Sequence, residues 1–481
     1  MERRFLLSAF MTRYLNVWIS IVLAGFGFLL SANAMAQSGD STPAQEKELD
    51  GRGPAQDSHD HMHHHGSEKI DQASSMSMAA MSMDMQPQTF LEAVGQHGLS
   101  GTDVEPLSTP SAMLMSVRGN WTLMLHGVAF LSDIQQTGPR GADKLFSTNW
   151  IMPMAQSRFG AGTLTLRTML SLEPATVTNR QYPELFQQGE TAFGKPIVDG
   201  QHPHDFFMEL AALYDVKFGE KTLLSFYAAP VGDPAMGPPA YPHRASASED
   251  PLAPLGHHLQ DSTHIADGVV TAGVTRGLVR LEASGFHGRE PDENRWDIDS
   301  GKIDSWSLRL TVNPRSNWSA QYSFGHLAGP EALHPNQNID RMTASVAYNR
   351  PLANGNWASL LVWGRNQNQP SGLIWNSYLA ESTLRFAKSN YIWGRFENVD
   401  RTNELLLKNA VEPANLDEAV IGRVKASTIG YDREINFVPH LATAFGGQAT
   451  FYATPDSLRS IYGSHPVGVV LFMRFRLVPE H

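Results

Sequence analysis

The chain has 481 residues, of which 18% are charged, and a formal net charge of −11. The acidic balance argues against nucleic acid as a partner, and the lack of cysteine excludes disulfides, thiolate metal sites and thiol catalysis. Beyond the N-terminus, no apolar run is long enough for a membrane-spanning helix, which excludes a helix bundle but allows a β-barrel.

Residues 1–36 predict a secretory signal peptide. They combine an arginine-rich start, an apolar core at 17–30 and small residues at 34–36 that offer a cleavage site. Met11 is an alternative start that would give a signal of more usual length. We therefore expect an exported protein whose mature chain begins after this segment.

Residues 37–110 differ in composition from the rest of the chain. They are rich in Ser, Gly, Asp, Gln, His and Met and poor in aromatic residues. Such a segment buries too little apolar surface to offset the entropy cost of ordering it. We therefore predict a mostly disordered tail, with one short helical turn at 89–94.

Two blocks of this tail carry side chains that bind transition metals. They comprise His59, His61, Met62, His63, His64 and His65, followed by Met76, Met78, Met81, Met83 and Met85. Imidazole suits Cu(II), Ni(II) and Zn(II), whereas thioethers select Cu(I). The blocks predict flexible, multi-site capture of copper or another transition metal. Compositional drift in a linker is the alternative.

Residues 111–481 alternate apolar and polar side chains in segments of roughly ten residues, as transmembrane β-barrels do. In the segment 163–172, one face carries Leu164, Leu166, Leu170 and Leu172, and the other carries Thr163, Thr165, Arg167 and Ser171. A strand with one apolar face and one polar face suits a wall between lipid and a polar interior.

The alternation predicts sixteen strands, an even number as single-chain bacterial barrels require. The candidate strands are 121–131, 145–159, 163–173, 206–218, 222–231, 264–275, 278–288, 304–312, 317–327, 341–349, 356–366, 372–386, 390–400, 423–434, 441–453 and 466–477. Short turns alternate with long polar loops between them. We therefore predict an all-β, antiparallel transmembrane barrel in the outer membrane of a Gram-negative bacterium, with the tail and both termini in the periplasm. A soluble β-sandwich or propeller is the alternative.

The inward faces of these strands carry charges of both signs. The positive set is Arg167, Arg280, Arg309, Arg385, Arg395, Arg474 and Arg476, and the negative set is Glu209, Asp215, Glu282, Glu381 and Glu397. Two hypotheses compete: the charges line an aqueous pore and set its selectivity, or they pair and partly fill the interior.

Histidines gather in the connections assigned as long outer loops. The densest candidates for a metal site are His202, His204, His257, His258 and His264. Loops that fold inward would bring them together at the outer mouth. Met124 and His126 share the inward face of the first strand, near Met113 and Met115, and could extend a path for a soft metal from the tail into the lumen.

The signal peptide, the His/Met-rich tail from His59 to Met85 and the barrel together resemble the copper-resistance B-type outer-membrane proteins. The resemblance implies copper binding or sequestration at the outer membrane. The sequence departs from that family in keeping His and Met in separate blocks. It also continues past Phe475 to His481, where barrels often end on an aromatic residue.

The predicted function is the binding, sequestration or permeation of copper or another transition metal, with a general porin-like channel as the alternative. The expected partners are outer-membrane lipid, the barrel-insertion machinery and periplasmic metal-handling proteins, and no obligatory cofactor is expected. Catalysis is not expected, because the chain lacks a Gly-x-Ser-x-Gly elbow. The neighbouring Ser–His pairs Ser262/His264 and Ser323/His326 are of a kind that chance supplies.

Overall fold

The computed structural model describes residues 86–479, except 370, 409, 412, 414 and 415. The predicted signal peptide and the metal-binding blocks from His59 to Met85 lie outside the described residues. Of the helices in the described part of the chain, none has the length and apolar content needed to cross a membrane.

Sixteen antiparallel strands form one closed barrel. They are β1 (Trp121–Gln136), β2 (Asp143–Phe159), β3 (Gly162–Leu170), β4 (Phe207–Phe218), β5 (Thr222–Gly232), β6 (Ala266–Arg276), β7 (Val279–His287), β8 (Ser305–Arg315), β9 (Trp318–Leu327), β10 (Asn338–Leu352), β11 (Gly355–Gln369), β12 (Ile374–Phe386), β13 (Asn390–Thr402), β14 (Val420–Glu434), β15 (Leu441–Ala453) and β16 (Val467–Leu477). Each strand pairs with the next, and β16 closes the barrel against β1. Every predicted strand overlaps one of these, so the predicted fold class is confirmed.

A short strand that sequence reasoning missed completes the closing seam. The last strand covers only one half of β1, where Val128 lies opposite Arg476. The other half of β1 pairs with Leu114–Arg118, in which Leu114 lies opposite Leu125. Because lipid offers no hydrogen bonds to open backbone groups, a barrel wall needs this edge to be paired.

Strand residues alternate between the two sides of the wall, as their period predicts. On β8, Leu308 and Leu310 are exposed on the outside, whereas Ser307 and Arg309 are buried inside. On β16, Leu471 is 63% exposed and Arg474 is fully buried. The outer face is therefore the apolar surface that lipid requires.

The connections divide the barrel into a short-turn end and a long-loop end. The long loops contain the helices α2 (Glu173–Thr176), α3 (His257–Gln260) and α4 (Arg459–Tyr462) and the 3-10 turns Thr178–Arg180, Ser262–His264, Asn403–Leu407 and Asp456–Leu458. Two small ladders, Tyr182–Pro183 with Gly200–Gln201 and Thr191–Ala192 with Lys195–Pro196, brace the loop after β3. The longest loops, 171–206 and 233–265, carry the predicted histidines.

Residues 86–110, which composition assigned to the disordered tail, pack inside the barrel. Helix α1 (Phe90–Gln96) begins at Thr89, whose side chain accepts a hydrogen bond from the Glu92 amide, which confirms the predicted helical turn. Its Phe90, Leu91 and Val94 pack with Leu107 and Leu223. The prediction of disorder was therefore wrong for residues 86–110.

Charged wall residues hold the rest of this segment. The buried Arg167 of β3 donates to the carbonyls of His97, Leu99 and Gly101 at 2.9, 2.5 and 2.5 Å. Asp103 pairs with Arg309 of β8. This polar segment is thus ordered by charged wall residues that lie far from it along the chain. Its own composition does not reveal these contacts.

Candidate functional site

Ion pairs occupy much of the barrel interior. Arg167 pairs with Glu209 at 2.6 Å, and Arg309 pairs with Glu282 at 3.1 Å and also with Asp103. All of these side chains are at most 3% exposed. Of the two competing hypotheses, the structure favours charges that pair and partly fill the interior over charges that line a wide pore.

The loop 233–265 enters the barrel from the long-loop end and is tied to the opposite wall. Arg244 of this loop donates to Glu381 of β12 at 2.6 Å and to Asp261 at 2.7 Å. Asp250 forms an ion pair with Arg395 of β13, and Glu249 forms an ion pair with Arg474 of β16. These links fix the loop as an internal constriction.

Two cavities remain at the long-loop end. The outer one is lined by Glu190, Glu290, Glu331, Glu404 and Glu418, and we call it the acidic vestibule. A deeper cavity shares four of these glutamates and adds His258, Arg341 and Arg401. Sequence reasoning missed these glutamates, because single acidic residues in separate loops show no spacing that would connect them.

The five predicted loop histidines converge. Their ring centroids form a continuous series: His202 lies 5.8 Å from His258, His258 lies 5.2 Å from His257, His257 lies 5.3 Å from His264, and His264 lies 5.3 Å from His204. All but His202 are less than 9% exposed. The predicted inward folding of these loops is therefore observed, although the histidines lie inside the barrel mouth rather than on an exposed rim.

Hydrogen bonds orient three of these imidazoles through Nδ1. The acceptors are a Glu173 carboxylate oxygen for His204, at 2.9 Å, and Asp261 Oδ1 for His257, at 2.7 Å. For His264 the acceptor is the Asp261 carbonyl, at 2.8 Å. Such partners on one ring nitrogen are the usual arrangement when the other nitrogen binds a metal.

Burial keeps most of these histidines neutral. It lowers the pKa of His264 to about 3 and places the pKa values of His202 and His258 well below the ordinary range. Burial by itself also lowers the pKa of His204, but the adjacent Glu173 carboxylate outweighs it and raises that pKa. Neutral imidazole is the form that binds metals.

A methionine cluster lies beside the histidines. Its buried members are Met113, Met124, Met152, Met154, Met169 and Met208, and Met115 packs against them. Met208 of β4 is buried in this cluster, although strict alternation along β4 would place it on the lipid face; the pairing of β3 with β4 shifts register beside it, between Met169 and Leu170. His243 Nε2 lies 3.2 Å from Met169 Sδ, and the His243 and His126 ring centroids are 6.5 Å apart.

The Ser–His pairs noted in the sequence have other partners. Ser262 Oγ accepts from Arg341, and Ser323 Oγ hydrogen-bonds to Thr343. His326 Nδ1 lies 2.7 Å from the Asp340 carboxylate. The first contact links a loop to the wall, and the other two join the neighbouring wall strands β9 and β10.

No protein-family profile matches the chain, and no curated protein matches it. Solved structures similar to it include the anion-selective porin of Comamonas acidovorans, with 10% identity over 74% of this chain and 100% of the porin and a TM-score of 0.46. OprB of Pseudomonas putida is 7% identical over 74% of this chain and 94% of its own, with a TM-score of 0.47. OmpF of Salmonella typhi is 10% identical over 75% of this chain and 100% of its own, with a TM-score of 0.45. At these identities and TM-scores, the similarities support no statement about the function of this chain.

Proposed function

We propose that this protein is a porin-like outer-membrane channel for small solutes, with a preference for cations. Its short-turn end faces the periplasm and its long loops face outward, as in other bacterial barrels. The observation that carries the proposal is the acidic vestibule, in which five glutamates line one cavity at the long-loop end.

Charge and geometry explain the preference. Carboxylates that line a narrow mouth raise the local concentration of cations and lower that of anions. Behind the vestibule, the loop 233–265 and residues 97–110 occupy the lumen through buried ion pairs. The channel therefore admits small ions slowly and excludes bulky solutes.

Planar-bilayer recordings test the proposal. The purified barrel is expected to conduct with a reversal potential, across a KCl gradient, that reports cation preference. Replacing Glu331 and Glu418 together by Gln should lower the cation-to-anion permeability ratio about two- to fourfold, because each removed charge weakens the local potential. Glu220→Gln, in the exposed turn before β5 at the short-turn end, is the control. A silent barrel, or a ratio unchanged by the double variant, contradicts the proposal.

A second candidate function, handling of a soft metal ion, is favoured by the methionine cluster. We propose that Met124, Met152 and Met154, together with Met169 of the same cluster and its neighbour His243, bind Cu(I) within the lumen. Thioethers select Cu(I). These residues belong to the barrel and are separate from the methionine-rich tail, so the two regions can be tested separately.

Exchange of methionine for leucine tests this second function, because it keeps volume and removes sulfur at a cost below about 1.5 kcal/mol per site. The full chain with Met124, Met152 and Met154 replaced by Leu should bind less Cu(I) than the wild type in competition with a chromogenic chelator. The tail is identical in both proteins, so its contribution to Cu(I) binding is the same in both and does not affect the difference. Equal Cu(I) binding by the two folded proteins would exclude the lumenal cluster as a copper site.

A further inference from the structure

We propose that Glu190, His258 and Glu290 form a discrete binding site for one divalent transition-metal ion, with His202 as the fourth side chain. The three potential ligand atoms of the first three residues all lie within 4.8 Å of one another. The three residues come from three separate loops, and they meet where the acidic vestibule joins the deeper cavity.

The position of His258 is built into the fold. Its side chain is 7% exposed, and its Nδ1 has no hydrogen-bond partner among the described residues. The Asn366 side chain donates to the His258 carbonyl at 3.3 Å. Gly189, with φ +114°, lies so close that a Cβ there would be 3.2 Å from His258 Cγ. Glycine at position 189 thus leaves room for the ring, and the buried imidazole keeps one nitrogen without a hydrogen-bond partner that can serve as a metal ligand.

The Glu190 carboxylate is oriented by its neighbours, and the Glu290 backbone is held in place. Arg295 donates to Glu190 Oε2 at 2.9 Å, which leaves Glu190 Oε1 toward His202, whose Nε2 lies 3.1 Å away. The backbone amide of Glu290 donates to the Pro330 carbonyl at 3.0 Å and holds that loop. Two carboxylates brought this close repel each other, and a bound cation relieves the repulsion.

The donor set selects the class of ion. Two imidazole nitrogens and two carboxylate oxygens suit Zn(II), Cu(II), Ni(II) or Co(II), whereas Ca(II) and Mg(II) prefer oxygen alone. Arg341 and Arg401 line the deeper cavity, so their charges hold the cation on the vestibule side. The vestibule supplies the route of entry, and in this respect the inference rests on the proposed channel.

Cobalt(II) is the probe for the test, because its visible absorption reports both occupancy and geometry. The full-length protein in detergent is titrated with Co(II) and, in parallel, its bound metal is counted. His258→Gln and Glu290→Gln are each expected to lose one Co(II) per chain and the associated absorption bands. Affinity at the site should fall by at least about 100-fold, since removal of a ligand exceeds the usual effect of an outer-shell change. The tail is the same in every variant and does not affect the difference.

His326→Gln is the matched control, because His326 is a mouth histidine bonded to Asp340 outside the site. Heat-modifiable gel mobility verifies that each variant is folded. If His258→Gln or Glu290→Gln does not fold, His202→Gln replaces it; this variant is expected to weaken Co(II) binding and to alter the Co(II) absorption bands. Unchanged Co(II) stoichiometry and spectra in the folded variants would overturn the site. If the wild-type barrel conducts cations but the variants bind as much Co(II) as the wild type, only the proposed metal site is contradicted. A silent barrel that loses one Co(II) in each variant contradicts only the channel.

Discussion

Replacing Arg244 by Met is expected to lower the free energy of unfolding by about 3–5 kcal/mol, the usual cost of removing one partner of a buried ion pair. The change leaves the carboxylates of Glu381 and Asp261 buried without the guanidinium that lies 2.6 and 2.7 Å from them. Because Arg244 ties the internal loop to β12, its loss should also free the constriction and raise ion conductance.

Urea unfolding followed by tryptophan fluorescence measures the first effect, and bilayer conductance measures the second. Arg423→Met is the matched control, since Arg423 also pairs with a carboxylate, that of Asp400 at 2.6 Å, but is 43% exposed. An exposed pair contributes about 0–1 kcal/mol. If the Arg244 and Arg423 variants unfold at the same urea concentration, the loop is not held by this ion pair.

Replacing Arg167 by Met is expected to release residues 97–110 from the wall and to destabilise the barrel by a similar amount, about 3–5 kcal/mol. The guanidinium bonds to three carbonyls of that segment and to Glu209 at 2.6 and 2.8 Å. Without it, Glu209 keeps the Tyr227 hydroxyl and the Gly101 amide as donors, neither of which carries a positive charge.

Limited proteolysis measures the release of residues 97–110 from the wall. Cleavage between residues 86 and 110 should become faster in the variant, while the strands stay protected. Arg158→Met, on the exposed end of the neighbouring strand β2, is the control and should leave the cleavage pattern unchanged. A variant that keeps the wild-type resistance within this segment would show that other contacts, such as Asp103 with Arg309, suffice to dock it.

The wall of the barrel could be predicted from the sequence because the pattern that specifies a strand is local. A residue such as Leu308 faces lipid and its neighbour Arg309 faces the interior, so the polarity of adjacent residues records the strand directly. Met208 shows the limit of this rule. A register shift lies beside Met208, whose side chain is in the interior instead of on the lipid side of the wall, and the alternating pattern does not predict the shift.

The interior was less accessible because its partners lie far apart in the chain. Asp103 meets Arg309 across 206 positions, and Arg244 meets Glu381 across 137. Composition therefore assigned residues 86–110 to a disordered tail, although the wall supplies the charges that order them. Likewise, the clustering of His258 with other loop histidines was predicted, but its meeting with Glu190 and Glu290 was not.

The sequence by itself determined that this chain forms a sixteen-stranded barrel with its histidine-rich loops at one end, because alternation and turn composition act between neighbouring residues. Only the tertiary structure decided that loops and buried ion pairs partly fill the interior and that His258, Glu190 and Glu290 meet. Both outcomes depend on which loops fold inward, and this is set by buried pairs between distant charges, whose energies depend on distances in space rather than on spacing in the chain.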